Sequence, residues 1–231
     1  MSNDTANIEK LEYGGKDDCS NTAPPAPPTL AATLGNPAPA IRAHLDLFPS
    51  GMFAFAGSVF LMALYNLGAG GVTVSNVLVG MLVFAGGITL ILVAMWEIAR
   101  GNTMFATAFL TFSTFWLSYS AVLIPSFGVM EAFASTPEQI PKALGLYLFV
   151  WWVTITCLIP GVLGKSTLFT ILLSTASIAI LMLACGTYTS TKAVNITGNA
   201  LLLVVTAIAY YIGVGALLAS EPGSAFSLPL F

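Results

Sequence analysis

Charged residues are scarce in this chain, at 7% of its 231 residues, where a soluble domain carries about 25%. A surface facing water on all sides cannot be made from so few charges, which excludes an ordinary soluble globule. The net charge is −3, and no basic stripe exists to neutralise phosphates, which excludes a nucleic-acid binder. Histidine is limited to His44, outside every long apolar run, so neither a Ser-His-Asp set nor an HExxH helix can be assembled. The apolar runs hold no phosphate-loop lysine motif and no paired carboxylates, which argues against hydrolytic chemistry and against a bound metal or cofactor. The three cysteines, Cys19, Cys157 and Cys185, form no CxxC pair, and the last two fall in apolar runs as small packing residues. The first 30 residues are polar and proline-rich, without the apolar centre of a cleavable signal. An enzyme is therefore a poor reading, and transport remains.

What is abundant is apolar length. Hydrophobic residues make up 57% of the chain, and six runs of about 20 follow residue 48, each long enough to cross a hydrocarbon core as a helix. They lie near 51–70, 77–99, 105–124, 143–163, 167–187 and 199–219. In lipid each segment must satisfy its own backbone, so helices are the expected form. This predicts an all-α integral membrane protein with six transmembrane helices in residues 46–220. Residues 1–45 are expected as a disordered tail with too little apolar surface to fold, and 221–231 as a short C-terminal tail. The connection 125–142, with Pro125, Pro137 and Pro141, predicts an irregular loop or a surface helix. With the N-terminus in the cytoplasm, Lys10, Lys16, Arg42, Arg100 and Lys165 lie inside and only Lys142 and Lys192 outside. Both tails are thus expected to be cytoplasmic. The sequon Asn195-Ile196-Thr197 then lies outside, too near the membrane for glycosylation.

Within the spans the only formally charged side chain is Glu97. An intramembrane carboxylate is a functional candidate by default. It also stands three residues before Arg100, so two readings stay open: a structural i,i+3 ion pair, or a part in proton handling. The remaining polarity is neutral. Tyr65 and Asn66 lie on the first span, Thr89 on the second, and Tyr147, Thr154 and Thr156 on the fourth. The third carries Thr107, Thr111, Thr114 and Ser118 at helical spacing, a hydroxyl stripe that either lines a narrow wet path or joins helices. Without Arg or Lys in the spans, an anion must be held weakly, by hydroxyls, amides and helix N-termini. Gly80, Gly86, Gly87, Gly213 and Gly215 allow close helix approach. "GMFAF" at 51–55 and "GLYLF" at 145–149 form a faint echo that fits two inverted three-helix halves.

Two proline motifs compete for the entrance to the first span: Asn36-Pro37-Ala38-Pro39, and Asp46-Leu47-Phe48-Pro49-Ser50-Gly51. Only the second runs straight into "FPSGMFAFAGSVFLMALYN". That stretch resembles the acetate uptake transporters, or succinate–acetate permeases, whose hallmark is N-P-A-P-x-G-L before a long apolar run ending at Asn. Counting back from Asn66 puts Pro49 at the second motif proline and Gly51 at the motif glycine. Starting from Asn36 instead demands an insertion of ten residues. Asp46 and Leu47 then replace the usual Asn and first Pro. "VFAGGITLILVAMWEIARGNTMFATAF", with Glu97, Gly101, Asn102 and Thr103, also resembles the family, as do Phe115-Trp116-Leu117-Ser118, "ALGLYLFVWW", Lys165 and the terminal "FSLPLF".

The resemblance implies a homo-hexamer of six-helix protomers in the plasma membrane, each with its own pathway for acetate or another small monocarboxylate, channel-like or coupled to protons. It implies a constriction at Phe55, at Phe112 (where relatives often have Tyr) and at Ala176 or Ser177. Pro49, Gly51, Asn66, Thr111 and Tyr147 are expected to contact the substrate. Glu97 with Asn102 is expected to brace the cytoplasmic end, beside Thr103, while Trp116 supports the third span. Two other readings are carried: passage of ammonium or ammonia, and a membrane sensor or scaffold that does not transport.

Overall fold

The structure, a computed structural model, describes residues 46–72, 74, 76–221, 223–224 and 226–230. The expected tail at 1–45 lies outside them, and with it Asn36-Pro37-Ala38-Pro39, His44, Cys19, Lys10, Lys16 and Arg42. Six helices are long and apolar enough to span a bilayer, and no strand occurs among the described residues.

The first, α1, is Phe48–Asn66, and its first turn contains Pro49. Proline suits that position because the first helical N–H groups have no intrahelical acceptor. The Asp46 carboxylate accepts the Phe48 N–H at 2.9 Å, fixing the entrance. Gly68 ends the helix with a left-handed φ of +71°, four residues short of what hydropathy alone would place inside the span. Helix α2 is Asn76–Ala99, and its middle, Leu82–Thr89, widens into a π-helix. Gly101, at φ +77°, turns the chain into α3, Thr103–Leu123. The connection that follows consists of three single 3₁₀ turns, Pro125–Phe127, Glu131–Phe133 and Pro137–Gln139. Helix α4 is Ile140–Val162, and α5 is Thr167–Tyr188, capped by the Ser166 hydroxyl accepting the Phe169 N–H at 3.2 Å. Helix α6, Lys192–Ser220, begins seven residues before its apolar run, because its first two turns are polar but still hydrogen-bonded.

Helix α1 is the most buried of the six and α4 the least. Helix α1 packs between α2 and α6, α3 lies on α2, α5 bridges α4 and α6. Close packing depends on glycine at particular points: a Cβ on Gly51 would come 2.8 Å from the Phe109 ring, and one on Gly145 2.6 Å from Tyr188 Cβ. We call the end where α1, α3 and α5 begin the near face. There the tail doubles back along α6: Tyr211 Oη donates to the Pro229 carbonyl at 3.1 Å, and Leu228 and Leu230 lie over Gly215.

Candidate functional site: two aromatic layers and a dry chamber

Phe55 of α1 and Phe112 of α3 meet in the middle of the bundle, ring centroids 4.6 Å apart and each ring 4% exposed. Beyond them is a chamber of about 20 Å³, room for one water-sized sphere. Its walls are Val59 and Met62 of α1, Phe115 and Trp116 of α3, Ile155 of α4, Ala176 and Ile180 of α5, and Leu202 and Val205 of α6. The indole N–H of Trp116 is buried without a hydrogen-bond partner, the one such side-chain atom among the described residues. Every other wall of the chamber is apolar.

On the near side is a vestibule of about 260 Å³, bordered by Asp46, Glu97, Arg100, Asn102 and Ser166 on one side and by apolar side chains, among them Leu168, Ile212 and Leu230, on the other. Glu97 is fully buried, with one oxygen accepting from Arg100 Nη1 at 3.2 Å and the other from Asn102 Nδ2 at 2.7 Å. Arg100 Nη1 also donates to Asp46. Three rings close the floor: Phe48–Phe105 and Phe105–Phe169 have centroids 4.9 Å apart, and Phe48–Phe169 6.4 Å. Each floor residue stands seven positions before a residue of the inner layer: 48 and 55, 105 and 112, 169 and 176. Seven residues are two helical turns, or about 10 Å of rise, so three helices carry two stacked layers. Reading the sequence did not single out the outer layer. The signal was available, since the seven-residue offset can be read once the inner layer is placed.

Other expected site residues fall in several places. Ala176 lines the chamber, while the Ser177 hydroxyl lies 2.7 Å from that of Thr156. Pro49 and Gly51 are buried in the α1 entrance, Gly51 facing Phe109 and Val93. Asn66 sits at the far end of α1, donating to Asn199 Oδ1 at 3.0 Å. Tyr147 and Ser118 share a hydrogen bond of 2.7 Å beside the stacked rings of Phe115 and Tyr119. Thr111 is half-buried, and Thr103 is exposed at the start of α3. The hydroxyl stripe divides: Thr107 and Thr114 are exposed and donate to their own backbone, at Thr103 and Leu110, while Thr111 and Ser118 are half-buried. In lipid a threonine hydroxyl satisfies itself this way when no neighbour is within reach. In the echo at 145–149 the matching ring differs in setting: Phe149 is 45% exposed, where Phe55 is 4%.

Comparison with known proteins gives the arrangement a context. A sequence profile described as the GPR1/FUN34/yaaH family matches residues 21–231. The Ammonia transport outward protein 2 of Saccharomyces cerevisiae is 33% identical over 175 residues, covering 76% of this chain and 62% of that one. The Acetate transporter protein patA of Aspergillus clavatus is 34% identical over 134 residues, 58% of this chain and 54% of that one. The chain thus spans about three fifths of the length of its yeast relative. Among solved structures, that of the bacterial acetate channel SatP superposes with a TM-score of 0.70 at 26% identity, over 81% of this chain and 99% of that one. A six-helix integral membrane protein matched along nearly all its described length, this chain belongs to the GPR1/FUN34/yaaH family.

Proposed function

We propose that this protein conducts acetate or a similar small monocarboxylate across the plasma membrane, through a passage inside each protomer of a hexamer, with both termini in the cytoplasm. The observation that carries the reading is the Phe55–Phe112 contact at 4.6 Å, which shuts an apolar chamber lying behind a vestibule with a charged rim. Its likeness to a bacterial acetate channel supports the choice of substrate. Apolar constrictions gate by excluding water, and they reopen when the rings part. A bare carboxylate in such a slot loses its hydration with one indole N–H in return, a penalty of several kcal/mol by the usual ion-burial scale of about that size. The neutral acid, or the anion travelling with a proton, crosses more cheaply. Pro49 and Gly51 set the slope of α1, and Thr111, Asn66 and Tyr147 border the route rather than its dry centre.

The same dry chamber suits neutral ammonia, and a yeast relative carries an ammonia-transport name. Uptake of radiolabelled acetate into liposomes separates the readings. Wild-type protein is expected to admit acetate, Phe55→Trp to block it, and Phe112→Ala to admit longer monocarboxylates as well. Ammonium flux without acetate flux supports the second reading. No flux of either supports a sensor or scaffold.

A further inference from the structure

The near vestibule contains a cation already engaged by two carboxylates of unequal standing. Among the described residues Arg100 is the one basic side chain bordering that space. Its Nη1 donates to Glu97 Oε1 at 3.2 Å and to Asp46 Oδ1. Glu97 is fully buried and clamped by Asn102, so it does not exchange. Asp46 differs in each respect. It lies in the segment leading into α1, outside any helix, and its side chain is 29% exposed, as is that of Arg100. A half-exposed carboxylate resting on a guanidinium at the rim of a cavity of about 260 Å³ has the geometry of a carboxylate site whose occupant is supplied by the chain itself.

We propose that Arg100 binds the carboxylate of a small monocarboxylate in this vestibule, and that Asp46 is a built-in competitor which leaves the guanidinium when substrate arrives. The proposal rests on the transport reading above and names its first binding site. A guanidinium presents a planar fork of donors that matches a carboxylate, which a lysine does not reproduce. A partly exposed ion pair shifts an equilibrium by a factor of about five at most, so Asp46 is displaceable. Its charge also repels an approaching anion over a few ångström, adding to the barrier. Asp46→Asn removes that charge yet keeps an oxygen for the Phe48 N–H, so the helix entrance survives.

The test uses full-length protein, titrated with sodium acetate by calorimetry in detergent and assayed for radiolabelled acetate uptake in liposomes. Asp46→Asn is expected to lower the acetate Kd, and the uptake KM with it, by about fivefold, leaving the maximal rate little changed. Arg100→Gln is expected to weaken binding by about tenfold or more, with Arg100→Lys in between. Asp46→Asn made on top of Arg100→Gln should bring no gain, because the competitor has nothing left to compete for. An unchanged or weaker Kd in Asp46→Asn overturns the proposal, and so does a full gain in the double variant. If Arg100→Gln does not fold, Asp46→Asn and Arg100→Lys decide the matter alone. Acetate that binds wild-type protein as described without crossing leaves this site standing and removes the transport reading. Uptake indifferent to both residues removes the site and leaves transport.

Discussion

For a single side chain in lipid, the question is what occupies its polar atoms. Both Glu97 oxygens are taken, by Arg100 at 3.2 Å and Asn102 at 2.7 Å, and no water-accessible surface remains. This is the geometry of a brace. Glu97→Ala should cost about 3–5 kcal/mol, since two hydrogen bonds to a charged group go and Arg100 retains Asp46. Glu97→Gln should cost about half of that, because an amide still accepts from one partner. Thermal unfolding in detergent checks the order. Uptake measured across pH separates the two readings of Glu97: the profile of Glu97→Gln keeps its shape if the residue is a brace, and flattens if it handles protons. Trp116 is the opposite case, with a buried N–H that nothing accepts. Such a donor costs about 1–3 kcal/mol, so Trp116→Phe should fall within about 1 kcal/mol of wild type while Trp116→Ala loses about 3–5 kcal/mol. The Glu97–Arg100 pair was legible in the sequence because helical spacing joins positions three apart. Asp46 was not legible as a partner, since no local rule relates residues 54 positions apart.

Helices were legible as helices for a plain reason: a long apolar run has few other ways to satisfy its backbone in lipid. Their ends were not, because ends depend on hydrogen bonding and turn geometry. Gly68 stops α1 early and the polar first turns of α6 extend it. The π-helical middle of α2 was invisible too, and it lies against α3. There Ser113 Oγ donates to the Gly87 carbonyl at 3.0 Å, and Trp116 presses on Gly86. Glycines look alike in a sequence, yet the structure separates them. A Cβ on Gly86 would come 2.6 Å from Trp116 Cγ, whereas one on Gly80 meets nothing within 4 Å. Gly86→Ala should therefore destabilise by about 1–3 kcal/mol and disturb acetate flux by moving a chamber wall. Gly80→Ala should be neutral or stabilising by up to about 1 kcal/mol, from helix propensity alone. Equal melting temperatures for the two variants would mean that α2 and α3 are not packed as described.

At the scale of the whole molecule, the distribution of burial differs sharply between helices. Helix α1 is enclosed, while α4 presents Leu146 and Val150, 60% and 62% exposed and one turn apart, to whatever surrounds the protomer. Lipid satisfies an apolar face, and so does a neighbouring protomer, but the two differ in shape tolerance. Acyl chains rearrange around a larger side chain, whereas a packed helix interface does not. If the protomers meet along α4, as the proposed hexamer requires of some exposed face, Val150→Trp should break the assembly without unfolding the protomer. Native mass spectrometry of the detergent-solubilised protein is expected to give six copies for wild type and smaller species for Val150→Trp. Six copies for both would place α4 against lipid and move the interface to another helix, and the proposed passage would be unaffected because the chamber walls come from one chain. Monomers for wild type would end the hexamer while leaving the Phe55–Phe112 closure intact. The proposed conduction and the proposed assembly are thus tested apart, and uptake measured on the same Val150→Trp preparation shows whether the protomer works alone.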